Sequence, residues 1–340
     1  MTVNPDEIFR KAWGCLAGLA IGDAMGMPVE WLTADEIHRR YGRVTTFHAP
    51  HASHPHAALR GATVTDDTEH ALLIAQVLIA QGAVTAQAVA DALVRWERER
   101  NGLSLSTLGP STREALRRLL EGVDPITAGA YGRTIGAAMR AAPIGVAHPG
   151  DRAGAIREAV LASLPTHGTN VAIAGATAVA AAVAEAMLPA ATIGSIIAAA
   201  IDGAEQGAQQ GTLVAGATVA RRIKMACELV QGTPLEEAAP RLAEYIGVDM
   251  LPTEGLPTAL GLLAASEGAP MRAVIAAVNL GGDADTVAAI AGAIGGAHRG
   301  IAAFPPELLD ELEAVNHLNL RGVARALAER ALQSTKPAAR

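Results

Sequence analysis

Glycine recurs every fourth residue at Gly14, Gly18, Gly22 and Gly26, within the apolar run WGCLAGLAIGDAMG. Residues four apart share one face of an α-helix, so the spacing predicts a helix with a groove of bare backbone along one side. Each glycine costs about 1 kcal/mol of helix propensity relative to alanine, and close packing in that groove is what offsets the cost. Half of the chain is hydrophobic but only 3% aromatic, so its core must be built from Ala, Leu, Ile and Val.

Helix start and stop signals recur along the rest of the chain. Asp151 is placed to cap a helix carrying Ile156, Val160 and Leu164, closed by Pro165. Ser111 followed three positions later by Glu114 has the form of a capping box ahead of Leu116, Leu119 and Leu120, with Gly122 as the stop. Between Thr85 and Arg100 the residues Val89, Leu93 and Trp96 fall at helical spacing, and Asn101-Gly102 ends the segment. The charge run Arg95–Arg100 is most simply a solvated helix end. The stretch Val171–Ile201 is rich in Ala and Gly, holds Glu185 as its only charge and contains Pro189. That pattern predicts two buried helices broken near the proline rather than a membrane span. Arg43–Phe47 is the best strand candidate, and it is short. With no linker and no fixed-period repeat, the expectation is one all-α domain over residues 1–340, completed by helices within 307–332.

Several function classes are disfavoured. Lys and Arg number 27 against 34 Asp and Glu, a net charge of −7, and no basic run could track phosphates, so dedicated nucleic-acid binding is not expected. The N-terminus carries Asp6 and Glu7 beside Arg10 and Lys11, and Asp23 follows the apolar stretch directly, unlike a signal peptide. The two cysteines, Cys15 and Cys227, cannot form a disulfide framework or a zinc site and suit a reducing compartment, so a cytoplasmic location is expected.

Two acidic clusters carry the chemistry. Thr65-Asp66-Asp67-Thr68 precedes the apolar segment Ala71–Ala80, and Gly281-Gly282-Asp283-Ala284-Asp285-Thr286 precedes Val287–Ile294. One carboxylate suffices to cap a helix. Two adjacent acids at each of two helix starts repel one another and call for a compensating cation. Hard oxygen ligands select Mg²⁺, Mn²⁺ or Ca²⁺ over Zn²⁺, and four carboxylates could neutralise a pair of divalent ions. Asp23 sits in an apolar segment and needs a partner if buried; Glu30 follows Pro28 in a loop or helix start. His48, His51, His54 and His56 crowd the loop before the first cluster and read as a solvated lid, with a third metal site as the lesser alternative. Met139 and Met271 read as core residues.

The segments GLAIGDAMGMPVE, TDDTEHALL, GAAMRAAPIG, LPTHGTN and NLGGDADTVAAIAGAIGGA resemble, in order, the motifs of the ADP-ribosylglycohydrolase family, from about Trp13 to Gly300. The resemblance implies an orthogonal helical bundle with two divalent cations, Mg²⁺ or Mn²⁺, at the bottom of a cleft. Thr65, Asp66 and Asp67 would bind metal from one side, and Asp283, Asp285 and Thr286 from the other. Glu30 matches a glutamate that some members use as a mobile acid or base, and it and Asp67 are the catalytic candidates. The implied substrates are ADP-ribosylated proteins or small ribosyl compounds cleaved at the C1–N or C1–O bond. Alternatives are hydrolysis of a simpler ribosyl N-glycoside and a non-catalytic relative that keeps the fold. The chemistry is consistent, because ribosyl cleavage passes through an oxocarbenium-like state and needs help for the leaving group.

This chain departs from the family pattern where many relatives read GNGAAMR: it has Thr134-Ile135-Gly136 there, preceded by Tyr131-Gly132-Arg133. Arg133, Thr134 and Gly136 are the expected substrate-binding residues, with Arg133 supplying charge in place of a backbone nest. His167 matches a recurring family block and reads as a supporting residue. An Mg²⁺-dependent isoprenoid enzyme fits less well, since only three each of Phe, Trp and Tyr are available to line a carbocation pocket.

Overall fold

The computed structural model describes residues 4–100 and 108–334. The Asn4 side chain accepts from the Asp6 N–H and starts α1 (Pro5–Gly26), which runs into a 3₁₀ turn at Met27–Val29. There follow α2 (Ala34–Tyr41), a long irregular segment, α3 (Asp66–Gln81), α4 (Ala86–Glu99), α5 (Pro110–Leu120) and three short helices, α6 (Pro125–Ala128), α7 (Gly136–Met139) and α8 (Ala142–Ala147). The second half contains α9 (Arg152–Ser163), α10 (Asn170–Ala186), α11 (Ile193–Gly207), α12 (Val219–Val230) and α13 (Leu235–Tyr245). It closes with α14 (Gly255–Ala265), α15 (Pro270–Val278), α16 (Ala284–Arg299), α17 (Pro306–Asn316) and α18 (Leu320–Ser334). No strand occurs among the described residues, so the fold is all-α.

The glycine groove of α1 is filled by α16, running antiparallel to it. A Cβ at Gly14 would lie 2.5 Å from Gly296 O, at Gly18 2.1 Å from Gly292 O, at Gly22 2.3 Å from Ala288 O and at Gly26 2.3 Å from Asp285 Cα. The two helices touch backbone to backbone along their length, which any larger side chain forbids. Around this pair a single principal core extends from Ile8 to Ala328. By length and composition Pro5–Val29 could cross a membrane, but 94% of its apolar window is buried inside the protein. It is the central helix of the core.

Several local expectations hold. Asp151 accepts from the Gly154 N–H at the start of α9, and Thr85 from the Ala88 N–H at the start of α4. The expected break in Val171–Ile201 falls between α10 and α11. The Asn101-Gly102 stop lies outside the described residues.

Two expectations are corrected. The α5 helix begins at Pro110 after Gly109, without a side-chain cap. Ser111 Oγ instead accepts from the backbone N–H groups of Arg133 and Thr134, at 3.1 and 3.3 Å. Proline already supplies the preset φ and missing donor of a first helical residue, which frees the serine to hold a distant loop. Arg43–Phe47 is not a strand. The Asn279 amide accepts from the Val44 N–H at 2.9 Å and donates to Val44 O at 2.8 Å, taking the place of a neighbouring strand.

Candidate metal centre

The first cluster is held from below by α1. Asp23 is fully buried, and its carboxylate accepts from the Thr65 N–H (3.0 Å), the Thr68 N–H (3.1 Å) and Thr68 Oγ1 (2.5 Å). It thus satisfies donors at the start of α3 that the helix cannot satisfy itself. Thr65 is the residue before α3, and its Oγ1 accepts from the Asp67 N–H. Burial pushes the Asp23 carboxyl up to about 6, against the opposing pull of these hydrogen bonds.

The second cluster sits in the turn before α16. Gly281 and Gly282 both have positive φ (79° and 67°), and a Cβ on Gly281 would lie 2.0 Å from Leu32 O. This turn is tied to the loop after Glu30: the Trp31 N–H donates to Gly282 O at 2.8 Å, and the Gly282 N–H to Leu32 O at 3.0 Å. Trp31 itself has φ 64°, a costly conformation for a bulky residue, and its ring remains half exposed at the cleft mouth.

The two clusters meet. Thr286 Oγ1 donates to Asp67 Oδ2 at 3.5 Å, joining residues 219 apart in sequence. Glu30, Asp283 and Asp285 each place a carboxylate oxygen within 4.8 Å of the others. The sequence kept Glu30 apart as an acid or base; the structure adds it to this group. Asp67 Oδ1 and Asp283 Oδ2 are buried without a hydrogen-bond partner.

The electrostatics follow from this crowding. Burial, and then the charge of Asp23, raises the Asp66 carboxyl to about 7. Burial is also the main cause that lifts Glu30, Asp67, Asp283 and Asp285 well above the carboxylate range. The next contribution comes from Asp283 for Glu30, from Asp285 for both Asp67 and Asp283, and from Glu30 for Asp285. A buried, all-oxygen donor set with unpartnered oxygens fits a hard divalent cation.

The carboxylates face a cavity of about 470 Å³, within the usual range for small-molecule sites. Thr65, Asp66, Asp67, Asp283, Asp285, Thr286, Glu30, Thr134 and Gly136 all line it. Arg133 does not. It is exposed and lines two neighbouring depressions. The arginine on the cleft wall is Arg113, from the first turn of α5, which the sequence reading missed because only the tertiary placement of α5 brings it there. Met139 is buried as expected but lines the cleft.

The histidine loop divides in two. His51 is exposed beside Ser53, and His48 stands edge-on to Tyr41. His54 is buried with Nε2 2.9 Å from Glu30 O, and His56 Nε2 lies 3.3 Å from Glu30 Oε2. Since His54 Nδ1 accepts from the His56 N–H, its Nε2–H is the donor to Glu30 O. The expected solvated lid is therefore, for these two residues, a clamp on the Glu30 loop. Burial is the largest cause lowering both imidazoles, which disfavours their charged form. His167 stands behind the cleft-lining Thr134, with Nε2 2.9 Å from Thr134 Oγ1.

Comparison with known proteins bears on this arrangement. The sequence model of the ADP-ribosylglycohydrolase family matches residues 4–339. The chain is 32% identical to the YegU protein of Escherichia coli, over 94% of this chain and 97% of that one. It is 29% identical to the ADP-ribosylarginine hydrolase Tri1 of Pseudomonas putida, over 98% of this chain and 81% of the relative. Among solved structures it is similar to an ADP-ribosylglycohydrolase-related protein complex, with a TM-score of 0.65 and 28% identity, covering 96% of this chain and 99% of the other.

Proposed function

This chain belongs to the ADP-ribosylglycohydrolase family, and on that premise we propose that it is a divalent-metal-dependent hydrolase releasing ADP-ribose from an arginine-type acceptor. The observation that carries the reading is the meeting of Asp67 with Thr286 beside the Glu30, Asp283 and Asp285 group, in one cleft. Thr65, Asp66, Asp67, Asp283, Asp285 and Thr286 would hold two cations, Mg²⁺ or Mn²⁺. Cations held there would supply Lewis-acid chemistry, a fixed point for ribose hydroxyls and a lower pKa for water.

The chain's own residues supply the rest. Glu30 sits at the edge of the carboxylate group with His56 against Oε2, where it can exchange a proton with the leaving atom or the attacking water. The acidic surroundings favour developing positive charge at C1. Thr134 and Gly136 line the same cavity as the carboxylates, and Arg113 is the cation available there to an anionic part of the substrate. An arginine acceptor is supported by two observations. A relative aligned over 98% of this chain carries the name ADP-ribosylarginine hydrolase, and the half-exposed indole of Trp31, which lines the same cavity as the carboxylates, suits a planar guanidinium.

The test is release of ADP-ribose from ADP-ribosyl-arginine, ADP-ribosyl-serine and nucleosides side by side, with Mg²⁺, with Mn²⁺ and with chelator. The expected result is metal-dependent release from the arginine conjugate. Turnover of nucleosides alone would replace the substrate assignment, and two bound ions without turnover would identify a non-catalytic relative.

A further inference from the structure

Behind Thr134 lies a chain of hydrogen bonds that ends on a buried arginine. Thr134 Oγ1 is 2.9 Å from His167 Nε2, and His167 Nδ1 is 2.7 Å from Thr166 Oγ1. Thr166 Oγ1 in turn accepts from Arg140 Nη2, which also donates to Ala162 O at 3.2 Å. Arg140 is 1% exposed, and Thr166 and His167 are fully buried. Arg140 Nε and Nη1 are buried without a hydrogen-bond partner among the described residues. Every polar side-chain atom of Thr166 and His167 has one, so the direction of the bonds through them follows from counting protons.

A guanidinium only donates, so Thr166 Oγ1 is an acceptor toward Arg140. Its single proton must then go elsewhere, and among the described residues its other hydrogen-bond partner is His167 Nδ1. With Nδ1 accepting, the neutral ring carries its proton on Nε2 and donates it to Thr134 Oγ1. The opposite direction would leave the Thr166 hydroxyl proton buried and unmet, at a cost of about 1–3 kcal/mol. Burial, and next the charge of Arg140, hold His167 well below the ordinary imidazole range, consistent with a neutral ring.

We propose that Arg140, Thr166 and His167 form a one-directional relay that fixes the Thr134 hydroxyl as a donor into the cleft, so that this wall takes an acceptor oxygen of the substrate. Arg140, Thr166 and His167 are positioning residues in this arrangement; Thr134 alone faces the cavity. The ligand half of the inference rests on the hydrolase reading above, whereas the relay itself does not.

The relay is tested on the substrate-free protein by ¹⁵N–¹H correlation of the histidine side chains at pH 7.5. The expected result is a neutral His167 protonated at Nε2. A ring protonated at Nδ1, or an imidazolium, overturns the proposal whatever the enzyme hydrolyses. Thr166→Val removes the donor to Nδ1 and is expected to erase that tautomer preference. It should raise KM for the ADP-ribosyl conjugate roughly tenfold with kcat within about twofold, and Thr166→Ser should restore both. A Thr166→Val protein with unchanged tautomer and unchanged KM refutes the relay. Should that variant not fold, the wild-type tautomer and the Thr166→Ser protein still decide the matter. The correct tautomer in a protein without ADP-ribosyl hydrolysis would sustain the relay and sink the assigned substrate.

Discussion

Substituting Gly26 by alanine tests whether the packing of α1 on α16 also builds the metal centre. The added Cβ would lie 2.3 Å from Asp285 Cα, and Asp285 N is as close, at 2.4 Å. Ordinary contact begins at 3.4 Å, so either the end of α1 or the start of α16 must shift by about 1 Å, an overpacking that costs roughly 1–3 kcal/mol. The gain in helix propensity, at most about 1 kcal/mol, does not cancel it. Gly14→Ala is the control. Its Cβ meets Gly296 O at 2.5 Å, a comparable clash at the far end of the same helix pair, away from every carboxylate. Both variants are expected to melt a few degrees below wild type in EDTA. Only Gly26→Ala should lose affinity for Mn²⁺ by calorimetry, by about 10- to 100-fold, as displacements of supporting residues do. Gly26→Ala with wild-type affinity, or Gly14→Ala with an equal loss, would refute the idea that this contact sets the position of Asp285.

Other perturbations separate the roles of the acids. Asp285→Asn should lower Mn²⁺ affinity by at least roughly 100-fold, whereas Glu30→Gln should bind the ion within a fewfold of wild type and lose turnover; equal loss of binding in both would make Glu30 a plain ligand. Asp23→Ala leaves the Thr65 and Thr68 donors without their acceptor, and thermal unfolding should show a loss of about 1–3 kcal/mol for each donor that water does not reach. Lys11 is buried and donates to Ala186 O (2.8 Å), Leu188 O (3.3 Å), Ala297 O (3.4 Å) and His298 O (3.0 Å), so Lys11→Met should destabilise the protein by several kcal/mol in urea titrations without changing KM. The folded-state carboxyls of Asp23 and Asp66, raised to about 6 and about 7, hold protons that the unfolded chain releases near pH 4. Their contribution to metal-free stability is present below that pH and is lost as pH rises through 6 to 7. A divalent ion competes with the proton on Asp66, so the rise in Tm on adding Mg²⁺ should be larger at pH 7.5 than at pH 5.5; an equal rise at both would contradict the assignment.

Much of the architecture was legible because the signals were local. The four-residue glycine spacing announced a close helix pair, Asp151 and Thr85 announced helix starts, and Pro189 announced the break between α10 and α11. Ser111 misled because one serine can cap its own helix or reach a loop twenty residues away, and local spacing does not distinguish the two. Arg43–Phe47 misled for a similar reason: its extended pattern was satisfied by the side chain of Asn279, a partner that no periodicity reveals. Arg133, the arginine expected at the substrate, lies outside the cleft lining, and Arg113 lies within it. Arg113 is inside α5 and Arg133 in an irregular segment, and only the tertiary placement of α5 brings the former to the cleft.

The site was more legible than its supports because unusual chemistry leaves unusual sequence. Paired acids before apolar helices are costly unless something offsets their repulsion, so they stand out in one chain. The supports are ordinary residues made special by position. Asp23 was visible only as an acid in an apolar run, yet it reaches out of α1 to fix the start of α3, while Gly26, three residues on, meets the start of α16. One turn of α1 therefore touches both carboxylate-bearing helix ends. Any change that rotates this turn must move the two clusters relative to each other, which is why a glycine far from the cleft in chemical character should behave in binding experiments as part of the metal centre.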